Sequence, residues 1–349
     1  MLRGDGPGNG FNGGTDIIDV SNPELPSGFG VGSSNRANAL QVENVDVQES
    51  AVVGNTLFLG VAEEPSLPGE VGAQPGEVHS IRLSGGYPAL SNGEVVFEDR
   101  EVNANLIKAV TPASSGDNTN EFYAVTDANS LYRFDVNTAN GVIDDVTTQT
   151  TTSSQFRGIA SNKHGGFALS RNANNGNGYL WRAENSGGLS QADNFGPFDS
   201  FGSQEDAIAR VTTGGPTCNG AKLVFVALNN SGFRVLKTSP GGVAEVFKNS
   251  TLEVTSLTAT DDYVYAASGE EIAVFRINDS EICNTNGQGL SQIGKAPVEN
   301  FVNGGLFSFD NGAQVNQVAA WNDGGTDYLA IAMGTNGVFV AKRGGGTYP

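Results

Sequence analysis

The chain has 349 residues, and its 48 glycines and 13 prolines accompany short apolar runs, which is typical of an all-β protein with many tight turns. Its 19 Lys and Arg against 38 Asp and Glu give a net charge of −19, which argues against binding to nucleic acid or anionic membranes through clustered cations. No apolar stretch approaches the roughly 20 residues of a membrane-spanning helix, and no window of about ten residues has helical periodicity.

The N-terminal segment is expected to differ from the rest of the chain. Residues 1–14 form a Gly-rich segment that we expect to be a flexible tail, and they contain no apolar core of a signal peptide. If the protein is exported, we therefore expect its leader to be absent from this sequence. Residues 15–20 (TDIIDV) predict one isolated strand.

A pair of strand-like runs joined by a polar segment recurs six times along the chain. The pairs are 54–64 with 77–86, 120–127 with 130–137, 165–172 with 178–185, 222–229 with 231–238, 261–268 with 271–278, and 326–334 with 336–343. An apolar run precedes each pair, at 41–47, 104–110, 155–161, 205–211, 253–259 and 314–320. A less regular fourth segment follows, as at 94–99, 141–148 and 242–248. Three regular strands and one irregular strand are typical of a propeller blade.

The repeat predicts a single six-bladed β-propeller over residues 15–349, with four-stranded antiparallel blades. The blades are predicted at about 40–100, 101–153, 154–203, 204–251, 252–312 and 313–343. Because the last repeat has no fourth run, we expect the strand at 15–20 to complete it and close the ring without an exposed sheet edge. Seven blades are the alternative, if residues 14–39 and their neighbours hold further strands.

Five of the twelve arginines occupy one position of the repeat, at the centre of the second run of each pair. They are Arg82, Arg133, Arg182, Arg234 and Arg276, and the sixth repeat has Val340 there. Strand side chains alternate between faces, so each Arg lies opposite the large apolar residue beside it. We expect the Arg stems to pack between blades while the guanidinium groups bind turn carbonyls or acidic neighbours.

One polar residue per repeat begins the first, innermost run, where a propeller opens onto its central channel. These channel-mouth positions are Glu43, Asn105, Arg157, Asp206, Thr255 and Asn316, and the alignment of the second repeat also allows a shift of one residue. They are candidate ligand-binding residues, and a solvated, partly salt-bridged mouth is the simpler interpretation.

The oxygens of Glu43, Asp206 and Asn316 suit Ca²⁺, which takes six to eight oxygen ligands. The positions resemble in kind those of six-bladed calcium-dependent lactonases and phosphotriesterases of the gluconolactonase type, which use a Glu, two Asn and an Asp. Arg157 departs from that pattern, because a permanent cation would oppose a metal. The resemblance implies a calcium-dependent hydrolase as an alternative function.

Other candidate sites are weaker. The segments 322–327 and 117–120 are rich in Asp, Asn and Gly, which suits either Ca²⁺ or tight turns. His79 and His164 accompany no nucleophile motif, so neither a Ser-His-Asp triad nor a zinc site is predicted.

The two cysteines are predicted to be placed on adjacent blades, on the face opposite the channel mouth. Cys218 falls between the first two runs of the fourth repeat, and Cys283 follows the last run of the fifth pair. We expect a disulfide between them, with two free thiols as the alternative. A bridge would imply an oxidising compartment.

The turn Asp19-Val20-Ser21-Asn22-Pro23 and the runs 224–242 and 329–343 resemble secreted bacterial propellers of the LVIVD-repeat type. The resemblance implies an extracellular or cell-surface propeller and supplies no catalytic residues. We therefore expect a non-enzymatic binding module with a protein or glycan partner. The one cofactor considered is Ca²⁺, which belongs to the hydrolase alternative. A structural subunit of a surface assembly is a third possibility, which a large apolar surface patch would indicate.

Overall fold

The computed structural model describes residues 46–53, 55–62, 76–84, 97–101, 107–112, 121–137, 142–150, 154–183, 189–198, 211–240, 242–284, 287–298, 314–333 and 338–343, and several two-residue strands before residue 96. The chain divides into two compact units. The first comprises Met1–Ser21, Pro26–Ala173 and Arg182–Ser190, and the second comprises Asn22–Leu25, Asn174–Trp181 and Gln191–Pro349.

The first unit begins with short strands: β1 (Leu2–Arg3), β2 (Gly14–Thr15), β3 (Ile18–Asp19), β4 (Ser27–Gly28) and β5 (Leu40–Gln41). Strand β2 pairs with β1 and β5, and β3 pairs with β4. The next strands are β6 (Asp46–Val53), β7 (Thr56–Ala62), β8 (Glu77–Ser84), β9 (Tyr87–Pro88), β10 (Leu90–Ser91), β11 (Glu94–Val95) and β12 (Phe97–Glu101). The first large sheet has the order β12-β8-β7-β6, and β9 also pairs with β8. Strands β10 and β11 form a separate hairpin.

The second sheet is a four-stranded antiparallel meander, and a further hairpin follows it. The meander consists of β13 (Ile107–Pro112), β14 (Glu121–Thr126), β15 (Ser130–Asn137) and β16 (Val142–Thr150). Strands β17 (Ser154–Asn162) and β18 (Gly165–Asn172) pair antiparallel, and β19 (Gly178–Ala183) and β20 (Leu189–Phe198) come next in the chain. The core lies between sheets, where the Phe122 ring stacks on Phe58 at 4.2 Å and on Phe134 at 4.5 Å.

The second unit contains two four-stranded antiparallel sheets and one three-stranded sheet, each in chain order. The strands are β21 (Val211–Cys218), β22 (Ala221–Ala227), β23 (Phe233–Ser239) and β24 (Gly242–Asn249); β25 (Ser256–Ala259), β26 (Tyr263–Ser268), β27 (Glu271–Ile277) and β28 (Leu290–Pro297); and β29 (Gln317–Asp323), β30 (Thr326–Ala332) and β31 (Val338–Lys342). One short helix, α1 (Asp279–Ile282), precedes β28.

Several middle strands are buried on both faces, which explains their nearly continuous apolar sequences. All six residues of β14 are buried, as are Leu223 to Ala227 of β22. The core between the two four-stranded sheets of the second unit includes Phe225, Phe233 and Phe275. A sheet covered on both sides leaves its strand ends and connecting loops as the main accessible surface.

Strands are present at the positions of all six predicted pairs, whereas some first strands were placed wrongly. The runs predicted at 41–47 and 205–211 overlap β6 and β21 only at their last one or two residues. Strands β25 and β29 begin after the starts of the predicted runs 253–259 and 314–320, although Val254 and Val315 are buried. The apolar pattern therefore indicates where burial begins, and the hydrogen-bonded ladder starts later. Strand β21 extends to Cys218, so this residue ends the first strand.

The predicted ring closure is not observed in the described strands. Gly14–Thr15 pairs with β1 and β5, and Ile18–Asp19 pairs with β4. Closure by residues 15–20 stays a prediction. In the described part of the chain, no helix has the length and apolar character needed to cross a membrane.

Candidate functional site

Three of the six predicted channel-mouth positions fall within the described residues. Glu43, Asn105 and Asp206 lie outside them, so the predicted calcium set of Glu43, Asp206 and Asn316 has only one described member. Arg157 belongs to the first unit, whereas Thr255 and Asn316 belong to the second.

Thr255 and Asn316 occupy the same place in two neighbouring sheets, directly before β25 and β29. The backbone N–H of Thr255 donates to the carbonyl of Ala267 at 3.1 Å, and that of Asn316 donates to Ala332 at 2.8 Å. The hydroxyl of Thr255 donates to the carbonyl of Val315 at 3.3 Å, which links the two strand starts. Thr255 is half-buried and Asn316 is exposed, so Asn316 is the more accessible to a ligand.

Arg157 lies at a β-bulge within β17, where the pairing with β18 shifts between Phe156 and Gly158. Its Nη2 donates to Oε1 of Gln155 at 3.2 Å. Nη1 of Arg171, on β18, donates to the same oxygen at 3.5 Å. Two guanidinium groups therefore meet at one neutral amide oxygen.

The same irregularity recurs in the two preceding sheets of the first unit. The register of β6 on β7 shifts between Val47 and Glu49, and that of β13 on β14 shifts between Ile107 and Ala109. The bulged residues are thus Gln48 and Lys108, at the position equivalent to Arg157. We call Gln48, Lys108 and Arg157 the bulge row. Each of these three positions is a polar residue within an apolar first strand, which is a signal that the sequence contains. Only Arg157 was predicted as a site residue, and Gln48 and Lys108 were missed.

The repeated arginines confirm the structural interpretation in three sheets. Arg133 forms an ion pair with Glu121. Nε of Arg182 donates to the carbonyl of His164 at 2.9 Å. Arg234 is 2 % exposed, and its Nη1 donates to the carbonyls of Ser231 and Phe233 at 3.2 Å and of Asn249 at 3.3 Å, while Nε lies 3.4 Å from the Glu245 carboxylate. In contrast, Arg82 and Arg276 are exposed.

A buried phenol accompanies Arg133. Tyr123 is 1 % exposed, and its hydroxyl has no hydrogen-bond partner among the described residues. Burial, reinforced by the negative charge of Glu121, raises the pKa of Tyr123 from 10.0 to about 12. The ring also approaches the next sheet closely, since a β-carbon at Gly166 would lie 2.9 Å from Cδ2 of Tyr123.

The loop at 322–327 is a tight hairpin turn. Gly324 and Gly325 have φ of +56° and +83°, and the N–H of Gly325 donates to Oδ1 of Asn322 at 3.2 Å. Such turn geometry accounts for the Asn, Asp and Gly residues of this segment. The other candidate loop, 117–120, lies outside the described residues.

Asp327, at the end of this loop, is 2 % exposed and accepts several bonds. Its Oδ1 accepts from Nδ2 of Asn322 at 2.7 Å. Its Oδ2 accepts from the hydroxyls of Tyr265 at 3.1 Å and Thr260 at 3.3 Å. Nε of Arg343 lies 3.7 Å from the same oxygen, and its guanidinium covers the Tyr263 ring at 4.1 Å. This network joins the last two sheets.

The histidines have local partners. His79 is buried, and its Nε2 lies 2.6 Å from the Glu77 carboxylate. The backbone N–H of His164 donates to Oδ1 of Asn162 at 2.9 Å. Within the described residues, no group of three or more His, Cys, Asp or Glu side chains is arranged to hold a metal ion.

The predicted disulfide is confirmed. Cys218, the last residue of β21, is bonded to Cys283, which follows α1. The carbonyl of Cys283 also accepts a hydrogen bond from Nζ of Lys237 at 2.8 Å. The bridge therefore joins adjacent sheets of the second unit.

Comparison with known proteins identifies the fold. No family model and no curated protein matches the sequence. Among solved structures, the Pseudomonas aeruginosa periplasmic gluconolactonase PpgL is similar, with a TM-score of 0.58, 12% identity, and coverage of 88% of this chain and 83% of that one. Chaetomium thermophilum Sqt1, bound to the N-terminus of ribosomal protein L10, gives a TM-score of 0.56 and 12% identity over 95% of this chain and 78% of that one.

The β-propeller domain of Myceliophteria thermophila Cps50 (Swd1) gives a TM-score of 0.51 and 12% identity, with coverage of 88% and 85%. These similarities, together with the consecutive antiparallel sheets, define the chain as an all-β protein with the β-propeller fold. Since the similar structures include a gluconolactonase and a protein bound to a ribosomal protein segment, the fold alone leaves the function open.

Proposed function

We propose that this protein is a non-enzymatic extracellular or cell-surface module that binds a protein or glycan partner. The observation that carries the proposal is the Cys218–Cys283 disulfide, because such bridges persist mainly in oxidising compartments. The LVIVD-type resemblance of the sequence agrees with this location.

The proposed architecture is a ring of six blades, completed by the strand at residues 15–20. Support comes from five sheets of three to five strands and the β17–β18 pair, which follow one another along the chain. Because middle strands are buried on both faces, we place the partner at the strand ends, where Thr255 and Asn316 begin consecutive sheets.

A mutational comparison along one strand tests the location of the site. Asn316 and Asp323 lie at opposite ends of β29 and both are exposed. Wild type, Asn316→Ala and Asp323→Ala, each as the full chain, would be compared for their binding to immobilised glycans and displayed peptides. We expect Asn316→Ala to weaken the captured interaction and Asp323→Ala to leave it unchanged. Equal effects of both variants would contradict the proposed site.

A calcium-dependent hydrolase is the second candidate, because one similar structure is a gluconolactonase. Here Glu43, Asp206 and Asn316 would bind Ca²⁺. The test is turnover of lactones and phosphotriesters with added Ca²⁺ or with a chelator, for the wild type and Asp206→Asn. Calcium-dependent turnover that Asp206→Asn abolishes would replace the binding proposal with the hydrolase.

The structural-subunit alternative has less support. It requires a large apolar surface patch, whereas the exposed large apolar side chains among the described residues are Val52 and Ile293. These two belong to different units.

A further inference from the structure

Three segments of the second unit carry the acceptor motif for N-linked glycans, which is Asn, then any residue except Pro, then Ser or Thr. They are Asn229-Asn230-Ser231, Asn249-Ser250-Thr251 and Asn278-Asp279-Ser280, and the 349-residue sequence contains no other. An N-linked glycan is bulky and hydrophilic, so the Asn that carries it has to lie on the surface of the folded chain. The geometry of each motif therefore decides which of them suits this modification.

Asn278 is fully suited to carry a glycan. It follows β27 and directly precedes α1, and the three residues of its motif are all exposed. Its Oδ1 accepts from the hydroxyl of Ser280 at 2.8 Å and from the backbone N–H of Ser280 at 3.2 Å. This is the local turn that Asn side chains form with the residue two positions on. Both bonds use Oδ1, whereas a glycan is attached to Nδ2, so the turn persists in the modified chain.

The other two motifs differ from that of Asn278 in exposure or in hydrogen bonding. Oδ1 of Asn249 also accepts from the hydroxyl of Thr251, at 3.2 Å, but Asn249 is half-buried. Asn229 has φ of +50°, and its backbone N–H and carbonyl are bonded to Val254 at 2.9 Å and 3.0 Å. Oδ1 of Asn229 is buried and has no hydrogen-bond partner among the described residues. Of the three motifs, that of Asn278 alone combines an exposed Asn with the hydroxyl-to-amide bond.

We propose that Asn278 is an N-glycosylation site. In the transfer, Nδ2 attacks the anomeric carbon of an oligosaccharide that is carried on a lipid diphosphate. The new carbon–nitrogen bond forms as the bond from that carbon to the phosphate oxygen breaks. The lipid diphosphate leaves with the electron pair, and Nδ2 loses one proton. This inference rests on the proposed extracellular location, because such glycans are attached to exported chains.

Expression of the full chain in yeast, preceded by a cleavable signal sequence, tests the inference. Chain that is recovered from the medium, or protected from added protease inside microsomes, has been translocated. Peptide-N-glycosidase converts a glycosylated Asn to Asp, and peptide mass mapping locates the conversion. We expect the conversion at Asn278 after enzyme treatment and not without it. Translocated chain in which Asn278 is unmodified would overturn the inference.

Two substitutions at one exposed position provide the matched comparison. Ser280→Ala removes the motif but keeps Asn278, whereas Ser280→Thr keeps the motif. Because Ser280 is exposed, both variants should fold as the wild type does. We expect complete loss of the glycan in Ser280→Ala and its retention in Ser280→Thr. Retention in Ser280→Ala would overturn the inference, and so would equal modification of Asn229 and Asn278 in the wild type.

The proposed site is separate from the proposed binding site. Strands β25, β26 and β27 pair antiparallel in chain order, so Thr255, before β25, and Asn278, after β27, lie at opposite ends of one sheet. A translocated chain that binds its partner but has an unmodified Asn278 would overturn the glycosylation site alone. A glycosylated chain whose partner binding is insensitive to Asn316→Ala would support the glycosylation site and contradict the proposed binding site.

Discussion

Tyr123 shows how a single buried hydroxyl affects stability. Its folded-state pKa of about 12 exceeds the ordinary 10.0, so folding favours the protonated phenol. The resulting stabilisation is complete below pH 10.0 and is lost as the pH rises toward about 12. Over that window, the wild type should lose about 2–3 kcal/mol through this residue.

Tyr123→Phe is expected to reduce this alkaline loss. Near neutral pH the variant should be as stable as the wild type or slightly more stable, because the hydroxyl has no hydrogen-bond partner among the described residues. Urea unfolding of both proteins at about pH 7 and about pH 11 measures the difference. The two proteins differ only at this side chain, so the contributions of all other groups cancel in the comparison. An equal alkaline loss in the two proteins would contradict the assigned cause.

Asp327 anchors the last sheet of the chain. Asp327→Ala removes the acceptor of Tyr265, Thr260 and Asn322 and leaves these donors without it. We expect a loss of about 3 kcal/mol in the free energy of unfolding. Asp323→Ala, an exposed acid of the same hairpin, should change it by less than about 0.5 kcal/mol. Similar effects of the two substitutions would show that the network contributes little.

At the scale of elements, Gly232 fixes the connection between β22 and β23. Its φ is +78°, and a β-carbon there would lie 1.9 Å from the carbonyl oxygen of Asn249. Gly232→Ala should therefore destabilise the fold by about 3 kcal/mol or more. Gly220→Ala measures the free-energy cost of the positive φ alone, because Gly220 has φ of +86° and no atom lies within contact of an added β-carbon. We expect it to cost about 1–2 kcal/mol by chemical denaturation.

The disulfide joins two elements that are 65 residues apart in sequence. Replacement of both cysteines by alanine should lower the free energy of unfolding by about 4 kcal/mol, because the unfolded chain gains conformational freedom. Dithiothreitol should destabilise the wild type by a similar amount and leave the double variant unchanged. A reductant effect on the double variant would point to another cause.

The sequence predicted the strand pairs and the bridge for a clear physical reason. Apolar runs separated by turn residues report burial and chain reversal, and the repeat then aligned Cys218 and Cys283 on adjacent sheets. The bulges at Gln48, Lys108 and Arg157 depend on how two strands pair, which one strand's sequence does not reveal. The starts of β25 and β29 were missed similarly, since Val254 and Val315 are buried ahead of the ladder.

The candidate site was predictable only in kind. The structure places Thr255 close to the residue before Asn316, and the role of these two residues in binding stays a prediction. Which residues of the other sheets lie near Thr255 and Asn316 depends on the conformation of the connecting loops, which the sequence does not reveal. The convergence of Arg157 and Arg171 on Gln155 also had no sequence signal, because it requires two strands in register.

For the whole molecule, the net charge of −19 has a general effect on stability. Self-repulsion opposes the compact state, and salt screens it. Raising the ionic strength from about 0.01 M to about 0.1 M shortens the screening length from about 30 Å to about 10 Å. We expect the urea midpoint to rise over this range and then to level off. A rise that continues at the same slope would indicate an effect other than screening.

The bond between Cys218 and Cys283 also changes what proteolysis can do to this chain. Strands β22 to β27 lie within the covalent loop that it closes. A single cut in any connection within that loop would leave the two fragments held together, and only reduction would release them. The segment between Cys218 and Cys283 can therefore be cleaved once while the parts of the chain on either side of the cut stay covalently joined.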